Sequence, residues 1–161
     1  MIRLTQTRIG NPRGNCTEAC VCSILELPLE EAPALWRPED GEERDERWFP
    51  EFYEWIRSKG FLFCYGEFSE RPLPLDIAAF GGEFTEFFRE CEYHLIGGLN
   101  PDGVPHMVVG QLGRVVWDTN PLRRGIVVAD SAGFLMPLSD APSEWLEYPA
   151  VGIRFEDSKA P

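Results

Sequence analysis

Apolar residues follow two different patterns along the chain. Up to about residue 60 they recur three or four positions apart, which is typical of helices that bury one face. After Tyr93 they form short β-branched and aromatic runs divided by Gly, Pro, Asn and Asp, which is typical of an antiparallel sheet. Helices followed by strands predict an α+β domain.

The first helical pattern runs from about Cys16 to Glu26. Gly14 or Asn15 is suited to begin this helix, and Pro28 to end it. The residues with the spacing of one buried face are Ala19, Cys20, Ser23, Ile24 and Leu27. The pattern therefore predicts an amphipathic helix that starts close to Cys16.

A second helix is predicted from about Pro50 to Lys59, with Gly60 just past its end. The next segment, FLFCYGEF, is typical of a strand, whereas LDIAAF and EFTEFFREC each have the pattern of a short helix. In the second half the predicted strands are YHLIGGL, PHMVVGQ, RVVWDTN, GIVVA and YPAVGIRF.

The length of 161 residues is that of one domain, and neither a repeat nor a long linker divides the sequence. We therefore predict a single domain over 1–161. Its mainly helical half covers 1–92, its antiparallel sheet half covers 93–156, and 157–161 form a tail.

The formal net charge of −12, from 27 acidic and 15 basic residues, narrows the function. A chain so acidic, without a cluster of Lys and Arg, would repel phosphates, so we predict no nucleic-acid partner. The densest charged run, at 37–47, has mixed sign and is predicted to be a solvated loop. Neither a signal-peptide pattern nor a long apolar run is visible, which predicts a cytoplasmic protein with no membrane partner.

Three of the five cysteines lie within seven residues, in the segment CTEACVC. This C-x3-C-x-C spacing differs from the paired spacings of zinc sites, so we predict no metal and no cofactor. In a reducing compartment an odd number of cysteines also argues against a disulfide framework. Cys20 and Cys22 are predicted to pack inside. Cys16 lies at the start of the helix, where the partial positive charge favours a thiolate nucleophile.

Two histidines, His94 and His106, are available as a base for such a thiol. His94 alternates with apolar residues and is predicted to be a sheet residue held by a hydrogen bond. His106 opens the strand HMVVG, and the hairpin after it has two alternative registers. A three-residue loop would place His106 directly opposite Asp118, whereas a two-residue loop would place Thr119 there. In the first register Asp118 orients the imidazole, and Asn120 is a weaker candidate for that role.

Two segments resemble papain-like cysteine peptidases, especially the small bacterial and phage members of that superfamily. The segment GNCTEACVCSILELPLEEAP is similar to the helix that carries their nucleophile. The segment YHLIGGLNPDGVPHMVVGQLGRVVWDTNP is similar to the half that carries their histidine and their acidic residue. The remaining residues match that superfamily in general pattern alone.

The resemblance implies a papain-like fold, in which an N-terminal nucleophile helix and a helical segment pack on a C-terminal antiparallel β-sheet. It implies Cys16 as nucleophile, His106 as general base and acid, and Asp118 as the orienting residue. It further implies that Gln6 donates to an oxyanion beside the backbone N–H of Cys16, with residues 8–15 looping out. The residues predicted to line a substrate cleft are Asn15, Trp117 and Asn120.

These residues predict a thiol hydrolase or acyl transferase. It would act through a thioester on a peptide, an isopeptide or a side-chain amide, with a peptide or protein as its substrate. The alternative is a non-catalytic peptide- or protein-binding module on the same fold, for example an inhibitor encoded by a phage. A short distance between the Cys16 sulfur and a His106 nitrogen would favour the enzyme. A cleft plugged by side chains such as Trp117 would favour the binding module.

Overall fold

The computed structural model describes residues 1–10, 13–35, 48–67, 73–74, 92–112, 114–141 and 143–146. Several predicted features lie outside the described residues: the charged run 37–47, the helical patterns at 75–80 and 83–91, the strand at 148–155 and the tail.

Two helices of about three turns match the predicted ones. The first, α1, spans Cys16–Leu25, and the second, α2, spans Trp48–Ser58. A 3-10 turn covers Leu29–Glu31, and a single-turn helix, α3, covers Ser143–Leu146. The helix α1 ends where Glu26 adopts a left-handed conformation, with φ of +58°, and its N–H donates to the Cys22 carbonyl.

The helix α1 is buried more completely than its sequence pattern predicts. Every residue from Glu18 to Ser23 is buried, so the middle of this helix is covered on all sides and not only on the face predicted from the spacing. The small side chains of Ala19, Cys20 and Cys22, each 0% exposed, allow neighbouring elements to approach from several sides. The start of α1 is thereby fixed firmly in the domain.

The strands form one antiparallel sheet, which confirms the coarse α+β class. In chain order they are β1 (Phe61–Glu67), β2 (Leu73–Pro74), β3 (His94–Leu99), β4 (Pro105–Gln111), β5 (Arg114–Asp118) and β6 (Val128–Pro137). Their order across the sheet is β1-β6-β3-β4-β5, and β2 also pairs with β6. The strand predicted at GIVVA begins at Val128 and continues to Pro137, eight residues beyond the end of the predicted pattern at Ala129.

The main core lies between the helices and one face of the sheet. The helix α1 packs on β4 and β3, and α2 packs on β1. The buried residues of this cluster include Cys20, Val21, Phe52, Tyr53, Ile56, Phe63, Leu95, Val109 and Trp117. On the opposite face, Leu62, Cys64 and Phe134 form a smaller cluster. The described residues contain no helix that is long and apolar enough to cross a membrane.

The N-terminal segment runs back along α1 towards the end of β5. Its backbone N–H groups at Ile2 and Leu4 donate to the carbonyl and the hydroxyl of Ser23. Further along, the N–H of Gln6 donates to the Thr119 carbonyl at 2.9 Å. This segment therefore joins the nucleophile helix to the residues that follow β5.

Candidate active site

Cys16 is the first residue of α1, and its thiol is free and half-buried. The first N–H groups of a helix have no carbonyl partner inside the helix, so the partial positive charge of α1 is centred here. The other described cysteines are free and buried. Burial raises the pKa of Cys20 well above its ordinary value and that of Cys22 to about 12. At neutral pH both are protonated thiols, which are poor nucleophiles.

His106 and Asp118 form a close pair at the edge of the sheet. The Nε2 atom of His106 lies 2.7 Å from the Oδ1 atom of Asp118, and both side chains are buried. The carboxylate also accepts the backbone N–H groups of Asn120, at 2.8 Å, and of Gly125, at 2.7 Å. Three donors therefore fix the position of the carboxylate.

Cys16, at the start of α1, is close enough to His106 that interaction with its side chain raises the pKa of the His106 ring. Because Asp118 occupies Nε2, the nitrogen that is left for the thiol is Nδ1. The structure thus brings together Cys16, His106 and Asp118, the three residues that the sequence predicted to act as nucleophile, base and orienting residue.

The electrostatics of this pair favour an imidazolium next to a carboxylate. Burial disfavours the charged form of His106, but the hydrogen bonds with Asp118 and Cys16 outweigh burial and raise its pKa to about 9. Burial likewise disfavours the charged form of Asp118. The hydrogen bonds from His106, Asn120 and Gly125 outweigh that effect and lower the pKa of this carboxyl group. Both shifts stabilise the same charged pair.

Neither predicted register of the β4–β5 hairpin is correct. Gln111 pairs with Arg114, as a two-residue loop requires, but the ladder then shifts between Val109 and Gly110. Val116 is the extra residue at this bulge, and beyond it Val108 pairs with Asp118. Without the bulge, Asp118 would project to the face opposite His106, because successive side chains alternate.

Because of the bulge, Asp118 projects to the same side of the sheet as His106. His106 lies two residues from Val108 on the same side of β4, so Asp118 reaches it diagonally and not from the directly opposite position. The sequence identified the correct pair of residues through an incorrect register. A single inserted residue cannot be recognised from alternation alone, and no signal in RVVWD marks Val116 as the bulge.

Gln6 is 5% exposed and is fixed at both its backbone and its side chain. Its Nε2 atom donates to the Arg8 carbonyl at 2.9 Å, and that carbonyl also accepts the N–H of Asn15 at 3.3 Å. Thr119 donates its hydroxyl to the Oε1 atom of Gln6 at 3.3 Å. The amide therefore lies beside the start of α1, with its oxygen directed to Thr119 and its nitrogen to the loop before Cys16.

The described parts of the loop before Cys16, residues 8–10 and 13–15, bond to each other, and the predicted looping out of 8–15 includes residues outside the described ones. The N–H of Gly14 donates to the Gly10 carbonyl at 2.6 Å, which closes the loop at its base. Arg8 is paired with the buried carboxylate of Glu18 at 3.3 Å, and the same Glu18 oxygen accepts the N–H of Leu35 at 3.1 Å. Sequence reasoning missed Glu18, because a buried acid on a helix looks like any exposed one until its partners are known.

The three residues predicted to line a cleft are all buried and engaged within the protein. The Oδ1 atom of Asn15 accepts the N–H groups of Thr7 and Arg8, and its side chain makes no cap on α1. Asn120 accepts the N–H of Leu122 at 2.9 Å, while its own N–H holds Asp118.

Trp117 is 6% exposed and lies in the main core, on the side of β5 opposite Asp118. Contact of Asn15, Trp117 or Asn120 with a substrate stays a prediction.

His94 is buried in β3, at 1% exposure, and burial lowers its pKa to about 4. Its ring lies against Gly110, where a Cβ atom would overlap it. The ring is therefore neutral at pH 7 and belongs to the interior of the sheet, as its alternation with apolar residues predicted. Within the described parts of the chain, no group of three or more His, Cys, Asp or Glu side chains is arranged to hold a metal ion.

Comparison with protein-family models, with curated proteins and with solved structures finds no match to this chain. No relative and no solved structure therefore supports the resemblance of two segments to papain-like peptidases. Function has to be inferred from the chemistry that Cys16, His106 and Asp118 provide together.

Proposed function

We propose that this protein is a thiol hydrolase or acyl transferase that acts on a peptide, an isopeptide or a side-chain amide. The observation that carries the proposal is the position of the His106 ring. The Asp118 carboxylate binds one side of the ring, and Cys16 is close enough to raise the pKa of the ring. A buried histidine with a purely structural role does not require both a thiol at a helix start and a carboxylate that is held by three donors.

In the proposed reaction the Cys16 sulfur attacks the carbonyl carbon of the substrate as a thiolate, because the His106 imidazolium already holds its proton. The carbonyl π electrons move to the oxygen, and the resulting oxyanion is stabilised by the N–H of Cys16 and the side-chain amide of Gln6. His106 then protonates the leaving amine as the C–N bond breaks, which leaves a thioester on Cys16.

The thioester is resolved by water or by a second amine. His106 accepts a proton from the attacking group, a second oxyanion forms, and the C–S bond breaks to release the acid or the new amide. The returning thiolate remains beside the imidazolium. Asp118 holds the ring in one tautomer and stabilises its positive charge throughout, so it is not itself protonated.

The proposal is tested by acylation of Cys16 with p-nitrophenyl acetate, a general acyl donor. The expected result is a burst of about one equivalent of nitrophenol, with the acetyl group mapped to Cys16 by mass spectrometry. The Cys16→Ala variant should lose the burst. The Cys22→Ala variant is the matched control, because it removes a thiol from the same helix that is 0% exposed, and it should keep the burst.

Two outcomes would contradict the proposal. If the acetyl group is found on Cys64 or Cys22 while Cys16 stays free, Cys16 is not the nucleophile. If Cys16 is not acylated but the protein binds peptides with unchanged affinity in the Cys16→Ala variant, the non-catalytic binding module is the better description. Release of acid or of a new amide from acetylated Cys16 separates hydrolysis from acyl transfer.

A further inference from the structure

Two arginines from distant parts of the sequence converge on one tryptophan. The guanidinium carbon of Arg3 lies 5.2 Å from the centre of the Trp117 ring, and that of Arg123 lies 3.9 Å from it. Both arginines are exposed, whereas the ring beneath them is 6% exposed. Attraction of each cation to the ring offsets part of the repulsion between two positive charges at one place.

Among the described residues, no acidic oxygen lies within 4.0 Å of Arg3 or Arg123, although Arg8, Lys59 and Arg124 each have such a partner. Arg114 lacks one as well, so the feature that sets Arg3 and Arg123 apart is their shared position over the Trp117 ring.

The sequence around this pair is locally basic. Residues 1–17 contain three arginines and no acid, and residues 119–129 contain two arginines and no acid, although Arg8 is paired with Glu18 and Arg124 with Asp102. The structure joins these two segments through the bond from Gln6 to Thr119 and through the bond from the Trp117 indole to the Leu4 carbonyl, at 2.7 Å. A local positive field in a negative protein attracts small anionic groups to this point.

The backbone at Arg123 adopts an uncommon conformation, which Glu26 and Leu112 share among the described non-glycine residues. Its φ is +48°, a left-handed conformation that is unfavourable for a residue with a Cβ atom. The N–H of Arg123 donates to the Asn120 carbonyl at 2.9 Å, so the turn is well formed. A glycine would fit this turn without strain, yet the position carries an arginine whose guanidinium lies on Trp117.

We propose that Arg3 and Arg123, supported by Trp117, bind a carboxylate of an acidic peptide or protein on which Cys16 acts. A guanidinium over the face of a ring can still use its edge N–H groups for two parallel hydrogen bonds to a carboxylate. That this ligand is a substrate rests on the proposed function, whereas the binding of an anion at this site does not depend on it. The overall charge of −12 disfavours a long polyanion such as a nucleic acid.

The site is close in the sequence to Asp118, the residue proposed to orient His106. Trp117 immediately precedes Asp118, and Arg123 lies in the loop between Asn120 and Gly125, whose N–H groups hold the Asp118 carboxylate. An acidic side chain bound at Arg123 would therefore anchor a polypeptide beside the loop that supports His106. We infer that Cys16 acts preferentially on peptides or proteins that have acidic residues near the reacting amide.

The test measures binding in the full chain with Cys16→Ala, so that no chemistry interferes. An acetylated, amidated hexapeptide with two glutamates is titrated into ¹⁵N-labelled protein, and the indole resonance of Trp117, assigned with Trp117→Phe, is followed. We expect this resonance to move with the glutamate peptide and to stay with its glutamine counterpart. Arg123→Gln should weaken binding by about fivefold or more. Arg114→Gln, which removes an exposed charge at the other end of β5, should leave affinity unchanged.

Three results would overturn the site. They are equal affinity for the glutamine peptide, equal weakening by Arg114→Gln and Arg123→Gln, and tighter binding of a ten-residue oligothymidylate than of the glutamate peptide. The last would indicate a nucleic-acid site instead. Because Cys16 acylation by p-nitrophenyl acetate does not use this site, its loss and the loss of peptide binding are separate results.

Discussion

The two histidines lie at opposite ends of the same pair of strands, and their environments shift their pKa values in opposite directions. In the β3–β4 ladder His94 pairs with Gly110, and His106 pairs with Gly98. Both rings are buried, yet the pKa of His94 falls to about 4 and that of His106 rises to about 9. Burial lowers the pKa of His94, whereas hydrogen bonds with Asp118 and Cys16 outweigh burial at His106. Burial by itself therefore does not decide which of the two rings is charged at neutral pH.

The largest expected effect comes from Asp118→Asn, which would make the surroundings of His106 more like those of His94. The neutral amide no longer stabilises the imidazolium or fixes the tautomer, so acylation of Cys16 by p-nitrophenyl acetate should slow on the order of 10³-fold. The NMR titration of His106 should also move to a lower pKa. Asp140→Asn, at an exposed position, is the matched control. A loss smaller than tenfold would argue against Asp118 as the orienting residue.

The next largest expected effect comes from substitution of Gly98 and Gly110, the glycines that pair with the two histidines. At Gly98 a Cβ atom would overlap the Val128 carbonyl and the Ala129 backbone in β6, whereas at Gly110 it would meet the ends of the His94 and Ile96 side chains. Backbone yields less than side chains do. We expect Gly98→Ala to lower the free energy of unfolding by about 3 kcal/mol and Gly110→Ala by about 1–2 kcal/mol, measured in urea. The reverse order would mean that the His94 end of the ladder is the tighter one.

The opposite pKa shifts predict two different limbs in the pH dependence of stability. His94 binds its proton more weakly when folded, so its contribution falls as pH drops from about 6.5 to about 4. His106 binds its proton more strongly when folded, so its contribution is complete below 6.5 and is lost as pH rises to about 9. Each limb has a slope of at most about 1.4 kcal/mol per pH unit.

Urea unfolding of the histidine variants at a series of pH values checks these limbs. His94→Gln should flatten the acid limb and leave the alkaline one, and His106→Gln should do the opposite. The lowered pKa of Asp118 also contributes below neutral pH, so the acid limb is judged from the difference between His94→Gln and the wild type. If one substitution flattened both limbs, the two rings would not be independent.

The smallest expected effect is that of His94→Gln on Cys16. Since His94 contributes no group to the reacting atoms, the rate of acylation by p-nitrophenyl acetate should stay within about twofold at pH 7, provided that the protein is folded. Circular dichroism of the same sample is the folding control. A large loss of rate in a folded variant would show that the two ends of the β3–β4 ladder are coupled.

Several elements could be predicted from local sequence because neighbours within a few residues determine them. The start of α1 at Cys16, the helix α2 and the strands β1, β3, β4 and β5 follow from apolar periodicity and from Gly and Pro at their ends. The strand β6 was predicted only at its beginning. Its segment DSAGF is rich in small and polar residues, and its strand conformation depends on β1 and β3 on either side.

The pairing of His106 with Asp118 shows where local reasoning ends. The sequence named both residues, but the bulge at Val116 sets which side of the sheet Asp118 faces. Likewise, nothing near Arg3 in the sequence indicates that it lies over Trp117, 114 residues away, together with Arg123.

By itself, the sequence determined the α+β class, the helix that begins at Cys16 and the small set of residues able to act as nucleophile, base and acid. The tertiary structure decided the opposite protonation of the two histidines, the register that brings Asp118 to His106 and the convergence of two arginines on Trp117. The physical reason is the range of the interactions. Periodicity and capping act within a few residues, whereas desolvation, ion pairing and ring contacts depend on side chains that folding brings from far along the chain.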